Sequence, residues 1–159
     1  MTSYPLAALI MVRTRREETA VKDLRVSRER LNEAQREEER AREALVKYQK
    51  FVETETERRW KALLGSNTTS RGLEEFWKGL SDLKYRETEF EAKIFEAVKV
   101  VQDRQNDVEN CKVELQNRRK AREKLELHQK AWQAQQNAEL ERLENLEMEE
   151  FTSVSIDQA

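Results

Sequence analysis

Apolar residues recur along this chain at alternating steps of three and four, in two long stretches with one interruption. The first stripe starts at Leu6 and steps through Ile10, Arg13, Glu17, Ala20, Leu24, Ser27, Leu31 and Ala34, then on to Val52, Glu55, Arg59 and Ala62. The second begins at Leu73, Phe76, Leu80 and Leu83. It continues through Val101, Val108, Leu115 and Leu125 to Trp132, Leu143 and Leu146. Such steps put every member on one face of a helix, and a sevenfold repeat kept this long predicts a left-handed supercoil. The interruption is "GSNTTSRG", Gly65 to Gly72. Gly65 can end the first helix in a left-handed conformation, and Thr69 or Ser70 can cap the second. Pro5 suits a first helical turn, where no N–H is needed. The pattern predicts helix 1 over about 6–64, a turn at 65–70, helix 2 over about 70–150 and a frayed tail at 152–159, all in one domain.

Helices on the order of 90 and 120 Å long, at about 1.5 Å per residue, must pair lengthwise rather than fold as a globule. A short connection makes the pair antiparallel. The expectation is all-α: a long two-helix antiparallel coiled-coil hairpin with a C-terminal helical overhang. Folding about residue 68 sets position i opposite roughly 136 − i. Trp60 then faces Phe76. Glu17, a charge in the seam, faces Arg118 and Arg122, which supply the partner that a desolvated carboxylate needs. Glu38, also in the seam, has no obvious partner in this register. Helix 1 is exhausted near residue 130 of helix 2, so residues from about Trp132 to Phe151 overhang alone.

Composition narrows the function. Charged residues make up 39% of the 159 positions, with three glycines and one proline, which suits long helices rather than strands and loops. Acid and base nearly cancel to a net charge of −2, without the basic excess of a generic nucleic-acid binder. Cys111 is the lone cysteine and His128 the lone histidine. This excludes an internal disulfide and any His- or Cys-based metal cluster or triad. Both residues are read as structural or incidental. There is no glycine-rich phosphate loop, so no catalytic residues, cofactor or metal are expected, and the chain is not expected to be an enzyme. The apolar run Pro5–Val12 does not read as an export signal. Its positive charges, Arg13, Arg15 and Arg16, follow the run instead of preceding it, and it is too short to span a bilayer.

Three surfaces are candidates for partners. Arg13, Arg15 and Arg16 fall level with Arg118, Arg119, Lys120, Arg122 and Lys124, forming either a solvated, internally paired face or a basic collar for an acidic partner. Trp60, Phe76 and Trp77 gather near the turn, where they either cap the coil or dock a partner. "ELERLENLEMEEF", with Leu143 and Leu146, is acidic on one face and apolar on the other, which is either a weakly ordered helix end or, the preferred reading, a partner-binding helix.

The N-terminal "YPLAALIMVRTRREETA", the "TTS" of the turn and "RRKAREKLELHQKAW" before an acidic helix resemble the type III secretion stalk proteins, the YscO/SctO group with its flagellar counterpart FliJ; chlamydial members are the nearest pattern. Arg118–Trp132 is the most specific part. The resemblance implies a cytoplasmic hairpin, peripherally associated with the secretion apparatus at the inner membrane and monomeric when alone. It implies partners: a hexameric secretion ATPase whose pore takes the helix termini, an export gate protein facing the turn, and for some members export chaperones. Under that reading Arg13, Arg15, Arg16, Arg118, Arg119, Arg122, Leu143 and Leu146 contact the ring, while Trp60, Phe76 and Trp77 form the gate-facing tip. Neither nucleic acid nor direct membrane insertion is expected. The rival readings are a chaperone- or substrate-binding hairpin and a generic scaffold coiled coil; the scaffold predicts a concentration-dependent oligomer.

Overall fold

The computed structural model describes residues 2–158. It contains two helices, α1 (Ala7–Leu64) and α2 (Ser70–Asp157), and no strand among the described residues. They pack against each other as an antiparallel helical hairpin. By internal packing the chain divides into two units: a terminal unit, Met1–Leu24 with Cys111–Ala159, and a hairpin unit, Arg25–Asn110.

The three-four stripe is the packed face in both. From Ile10 to Arg59 on α1, and from Phe76 to Gln136 on α2, every position of the predicted seam is buried or half-buried. The terminal unit buries Tyr4, Ala20, Leu24, Leu115 and Leu125; the hairpin unit buries Ala34, Leu83, Val101 and Val108. Among the described residues no large side chain is fully buried, because two helices cannot enclose a side chain on every side. The register follows 136 − i in each unit. In the terminal unit the Tyr4 and Trp132 rings lie 5.4 Å apart. In the hairpin unit Gln49 Nε2 donates to Glu87 Oε1 at 2.8 Å and the Trp60 and Phe76 rings sit 5.6 Å apart.

The ends depart from expectation in two ways. No glycine takes a positive φ, so Gly65 does not close α1 in the left-handed form. The Gly65 N–H still donates to the Lys61 carbonyl at 3.1 Å, and the Leu63 carbonyl accepts from the Ser66 N–H at 3.3 Å and from the hydroxyls of Thr68 at 2.7 Å and Ser66 at 3.1 Å. The orphan carbonyl is thus satisfied without a reversed backbone. Of the two candidate N-caps, Thr69 acts: its Oγ1 accepts from the Gly72 N–H at 3.2 Å. Finally, α2 runs on to Asp157 through the segment read as a frayed tail. The hydroxyls of Thr152 and Ser153 turn back onto the Met148 and Glu150 carbonyls rather than breaking the helix.

Ser27 is the one buried polar residue of the seam, 6% exposed, and its Oγ has no hydrogen-bond partner. Stranding a hydroxyl costs about 1–3 kcal/mol, and alanine is also the better helix former. Ser27→Ala is therefore expected to stabilise the chain by about 1 kcal/mol, read as a higher denaturant midpoint at unchanged m-value.

Two seam carboxylates make stability sensitive to acid. Hydrogen bonding by Arg122 holds the Glu17 carboxyl below its ordinary 4.5, against the desolvation of its site. Hydrogen bonds from Arg58 and Arg59 bring Glu55 down to about 2. Both pKa values are depressed on folding, so their contribution is complete above the ordinary value and is lost as pH falls through the folded one. Thermal melts are expected to be flat above pH 4.5 and to drop between there and about pH 2. Glu17→Gln should flatten part of that limb; an acid limb unchanged by the substitution would remove Glu17 from the account.

Candidate partner-binding surfaces

In the terminal unit, the collar arginines divide by what they already hold. Arg13 Nη1 donates across the seam to the Ala121 carbonyl at 2.7 Å. Arg122 is paired with Glu17 and also donates to Glu126 at 2.9 Å. These two are internal fasteners, half-buried and committed. Arg118, expected opposite Glu17, instead binds Glu114 on its own helix at 2.7 Å, and Arg119 takes the second place beside Glu17 at 3.4 Å. The spacing explains the exchange. Arg118 lies four residues after Glu114, an ordinary intrahelical pair, which leaves Arg119 to lean across. Arg15 and Arg16 are exposed. Together with Val12, Thr19, Ala20, Asp23, Glu114 and Arg118 they line a shallow groove between the helices.

The same unit holds a feature the stripe did not mark. Tyr4 precedes α1, yet it is 7% exposed. Its hydroxyl hydrogen-bonds His128 Nδ1 at 2.5 Å and its ring lies against Trp132. This fastens the start of the chain to α2 and gives His128 a structural role. Sequence periodicity could not find Tyr4, because it lies outside the repeat; the aromatic just before a helix-opening proline was the available signal.

Beyond Gln136, every described residue of α2 is exposed. Leu143 and Leu146, at 45% and 42% exposed, continue the stripe with no helix facing them. Leu140, Phe151 and Val154 extend the apolar face. Glu139 and Arg142 pair along the helix at 2.7 Å.

In the hairpin unit, Trp60 and Trp77 do not stack on each other. Phe76 stands between them, tilted to Trp60 at 5.6 Å and edge-on to Trp77 at 5.5 Å. Phe76 is half-buried, whereas Trp77 remains 60% exposed and Trp60 43%. The aromatics thus both close the coil and leave an apolar ledge. Glu38, without a cross-helix partner, binds Arg42 one turn on at 3.0 Å.

Among the described residues, no group of three or more His, Cys, Asp or Glu is placed to hold a metal ion, and no helix is long and apolar enough to cross a membrane. The exposed apolar and arginine-bearing faces described above are the candidate surfaces.

Comparison with known proteins gives these surfaces a setting. No curated protein matches the chain. Two solved structures share its fold. The YscO homolog CT670 from Chlamydia trachomatis is 24% identical, with a TM-score of 0.84 over 97% of this chain and 94% of that one. The type III secretion protein YscO from Vibrio parahaemolyticus is 22% identical, with a TM-score of 0.80 over 92% of each chain. The family model for type III secretion protein YscO matches residues 6–154, from the first seam leucine to the last turns of α2. With the match running through the paired helices and the uncovered helix alike, the chain belongs to the YscO family of type III secretion proteins.

Proposed function

We propose that this protein is the non-catalytic central stalk of a type III secretion system. Its terminal unit enters the hexameric secretion ATPase and promotes its activity, and the aromatic ledge of its hairpin unit meets the export gate. The observation that carries this reading is the pairing, in one unit, of exposed Arg15 and Arg16 with an apolar helix that nothing in the chain covers. An uncovered apolar stripe marks a protein contact, and exposed charge elsewhere in the same unit steers and orients the encounter. A seam locked by Glu17–Arg122, Arg13–Ala121 and Tyr4–His128 gives that unit the rigidity a stalk needs. Ring contact then falls to Arg15, Arg16 and Arg119 with Leu143 and Leu146. Arg13 and Arg122 act through the seam, and Arg118 is held by Glu114. Trp60, Phe76 and Trp77 form the gate-side contact. The place of action is the cytoplasmic face of the inner membrane.

The test is the hydrolysis rate of the cognate secretion ATPase against increasing substoichiometric amounts of this protein. Stimulation that saturates near one chain per hexamer supports the stalk. An unchanged rate with hexamer-competent ATPase shifts the assignment to the chaperone-binding hairpin, for which the exposed Trp77 ledge is the docking surface.

A further inference from the structure

The turn of the hairpin unit carries chemistry that the aromatic ledge alone does not account for. From Ala62 to Ser70 no residue is charged, and Lys61 and Arg71 bracket that run. Leu64 is 68% exposed and Leu73 39%, so the leucines beside the turn join Trp60 and Trp77 in facing solvent. Phe76, in ring contact with both tryptophans, links them into one apolar surface. Hydroxyls of the turn are already spent on its own backbone. Those of Ser66 and Thr68 donate to the Leu63 carbonyl, and Thr69 Oγ1 accepts from the Gly72 N–H. Taking this turn out of bulk water therefore costs less than it would for a charged or unbonded loop.

The charge around it has a sign. Between Glu57 and Glu74 the chain carries Arg58, Arg59, Lys61 and Arg71 and no acid. Arg58 and Arg59 share a single carboxylate, Glu55, at 2.6 and 2.9 Å, which leaves positive charge in excess. Lys61 is exposed. Arg71 reaches Glu75 only at 3.6 Å, with both side chains largely in solvent, a pairing that holds it weakly. Tryptophan and leucine rimmed by lysine and arginine are the composition that settles at the boundary between lipid headgroups and acyl chains. A protein partner would need a hollow shaped to these separate side chains; a bilayer surface needs none.

We infer that the turn of the hairpin unit binds an anionic bilayer surface, with Trp60, Leu64, Leu73 and Trp77 entering the headgroup boundary and Lys61 and Arg71 meeting lipid phosphates. The contact is interfacial and spans nothing. It rests on the stalk reading only in setting this end of the hairpin at the membrane that holds the export gate; ring entry by the terminal unit plays no part in it.

Co-sedimentation of the full chain with protein-free vesicles tests it, on phosphatidylcholine alone and on an equimolar mixture with phosphatidylglycerol. Binding to the mixture is expected, weaker at high salt, where the attraction is screened. On neutral vesicles it should be about tenfold weaker, since each basic residue near an anionic surface adds to the attraction. Emission of Trp60 and Trp77 should shift to the blue as they leave water. Leu64→Glu with Trp77→Glu is expected to lower vesicle affinity at least tenfold. Lys61→Glu with Arg71→Glu is expected to abolish the preference for the anionic mixture. All four positions are exposed, so circular dichroism should show both variants as helical as wild type. Leu143→Glu with Leu146→Glu, on the uncovered helix of the terminal unit, should leave vesicle binding unchanged. No binding to the anionic mixture, equal binding to both vesicles, or binding lost with the Leu143/Leu146 change overturns the inference. So does a turn that binds the export gate in detergent but no vesicle, which assigns the surface to protein. ATPase stimulation measured without lipid separates the inference from the stalk reading. Stimulation without vesicle binding removes the lipid contact and leaves the stalk; vesicle binding without stimulation removes the stalk and leaves the lipid contact.

Discussion

Reversing the two exposed collar charges together, Arg15→Glu with Arg16→Glu, is expected to raise the concentration of this protein needed for half-maximal ATPase stimulation by roughly thirtyfold. That corresponds to about 2 kcal/mol of lost contact, the scale on which like charges brought together at an interface penalise binding. The choice of residues follows from the structure. Arg13 holds the Ala121 carbonyl and Arg122 holds Glu17, so reversing either would loosen the seam and confuse a folding defect with a binding one. Arg15 and Arg16 are exposed and carry no such duty. The thermal melt of the variant is accordingly expected to match wild type. Arg28→Glu with Arg30→Glu, equally exposed on the hairpin unit, is the charge-matched control and should leave stimulation intact. A half-maximal concentration unchanged by the Arg15/Arg16 reversal, with normal hydrolysis otherwise, would take these two arginines out of ring contact and leave it to Arg119 and the uncovered helix.

The fold was legible because a two-helix seam is written in one dimension. Period and register together place each seam residue, which is why Trp60–Phe76 and the ion pair of Glu17 with Arg122 could be read without coordinates. The uncovered helix was legible for the same reason, as the excess of one stripe over the other. What escaped was whatever depended on rotamers or on residues outside the repeat. Arg118 and Arg119 are adjacent, and only the competing intrahelical Glu114 decides which of them reaches Glu17. Arg13 looked like one more collar charge until its guanidinium was found on a backbone carbonyl. Gly65 was read from glycine's usual place after a helix, but its N–H still bonds the Lys61 carbonyl in the helical pattern, and the hydroxyls of Ser66 and Thr68 satisfy the Leu63 carbonyl, so no reversed backbone is needed. Glu38 could have been resolved from spacing alone, since Arg42 lies one turn further along. The candidate surfaces were legible as composition, but the groove beneath Arg15 and Arg16 depends on which side chains leave the seam open.

Leu115→Ala is expected to destabilise the protein by about 2–3 kcal/mol, seen as a lower denaturant midpoint, toward the lower part of the range for deleting a buried leucine side chain. Two features of this architecture set that value. A seam bounded by solvent on both sides lets neighbours and water close over the gap, which lowers the cost relative to an enclosed core, and no large side chain among the described residues is fully buried here. Against this, the terminal unit buries few apolar side chains, Tyr4, Ala20, Leu24, Leu115 and Leu125, so each carries a large share of its cohesion. Hydrogen exchange should therefore lose protection first in the helical segments beside Leu115 in the terminal unit, where local opening is governed by few contacts. For a stalk, that is the functional point. A seam so thin resists bending only while each of its leucines is seated, and a variant with a loosened terminal unit should stimulate ATPase less even though its exposed arginines are intact. A change below about 1 kcal/mol, within the range of surface substitutions, would mean that Leu115 is not held in the seam and that charge pairs rather than apolar packing hold this unit together.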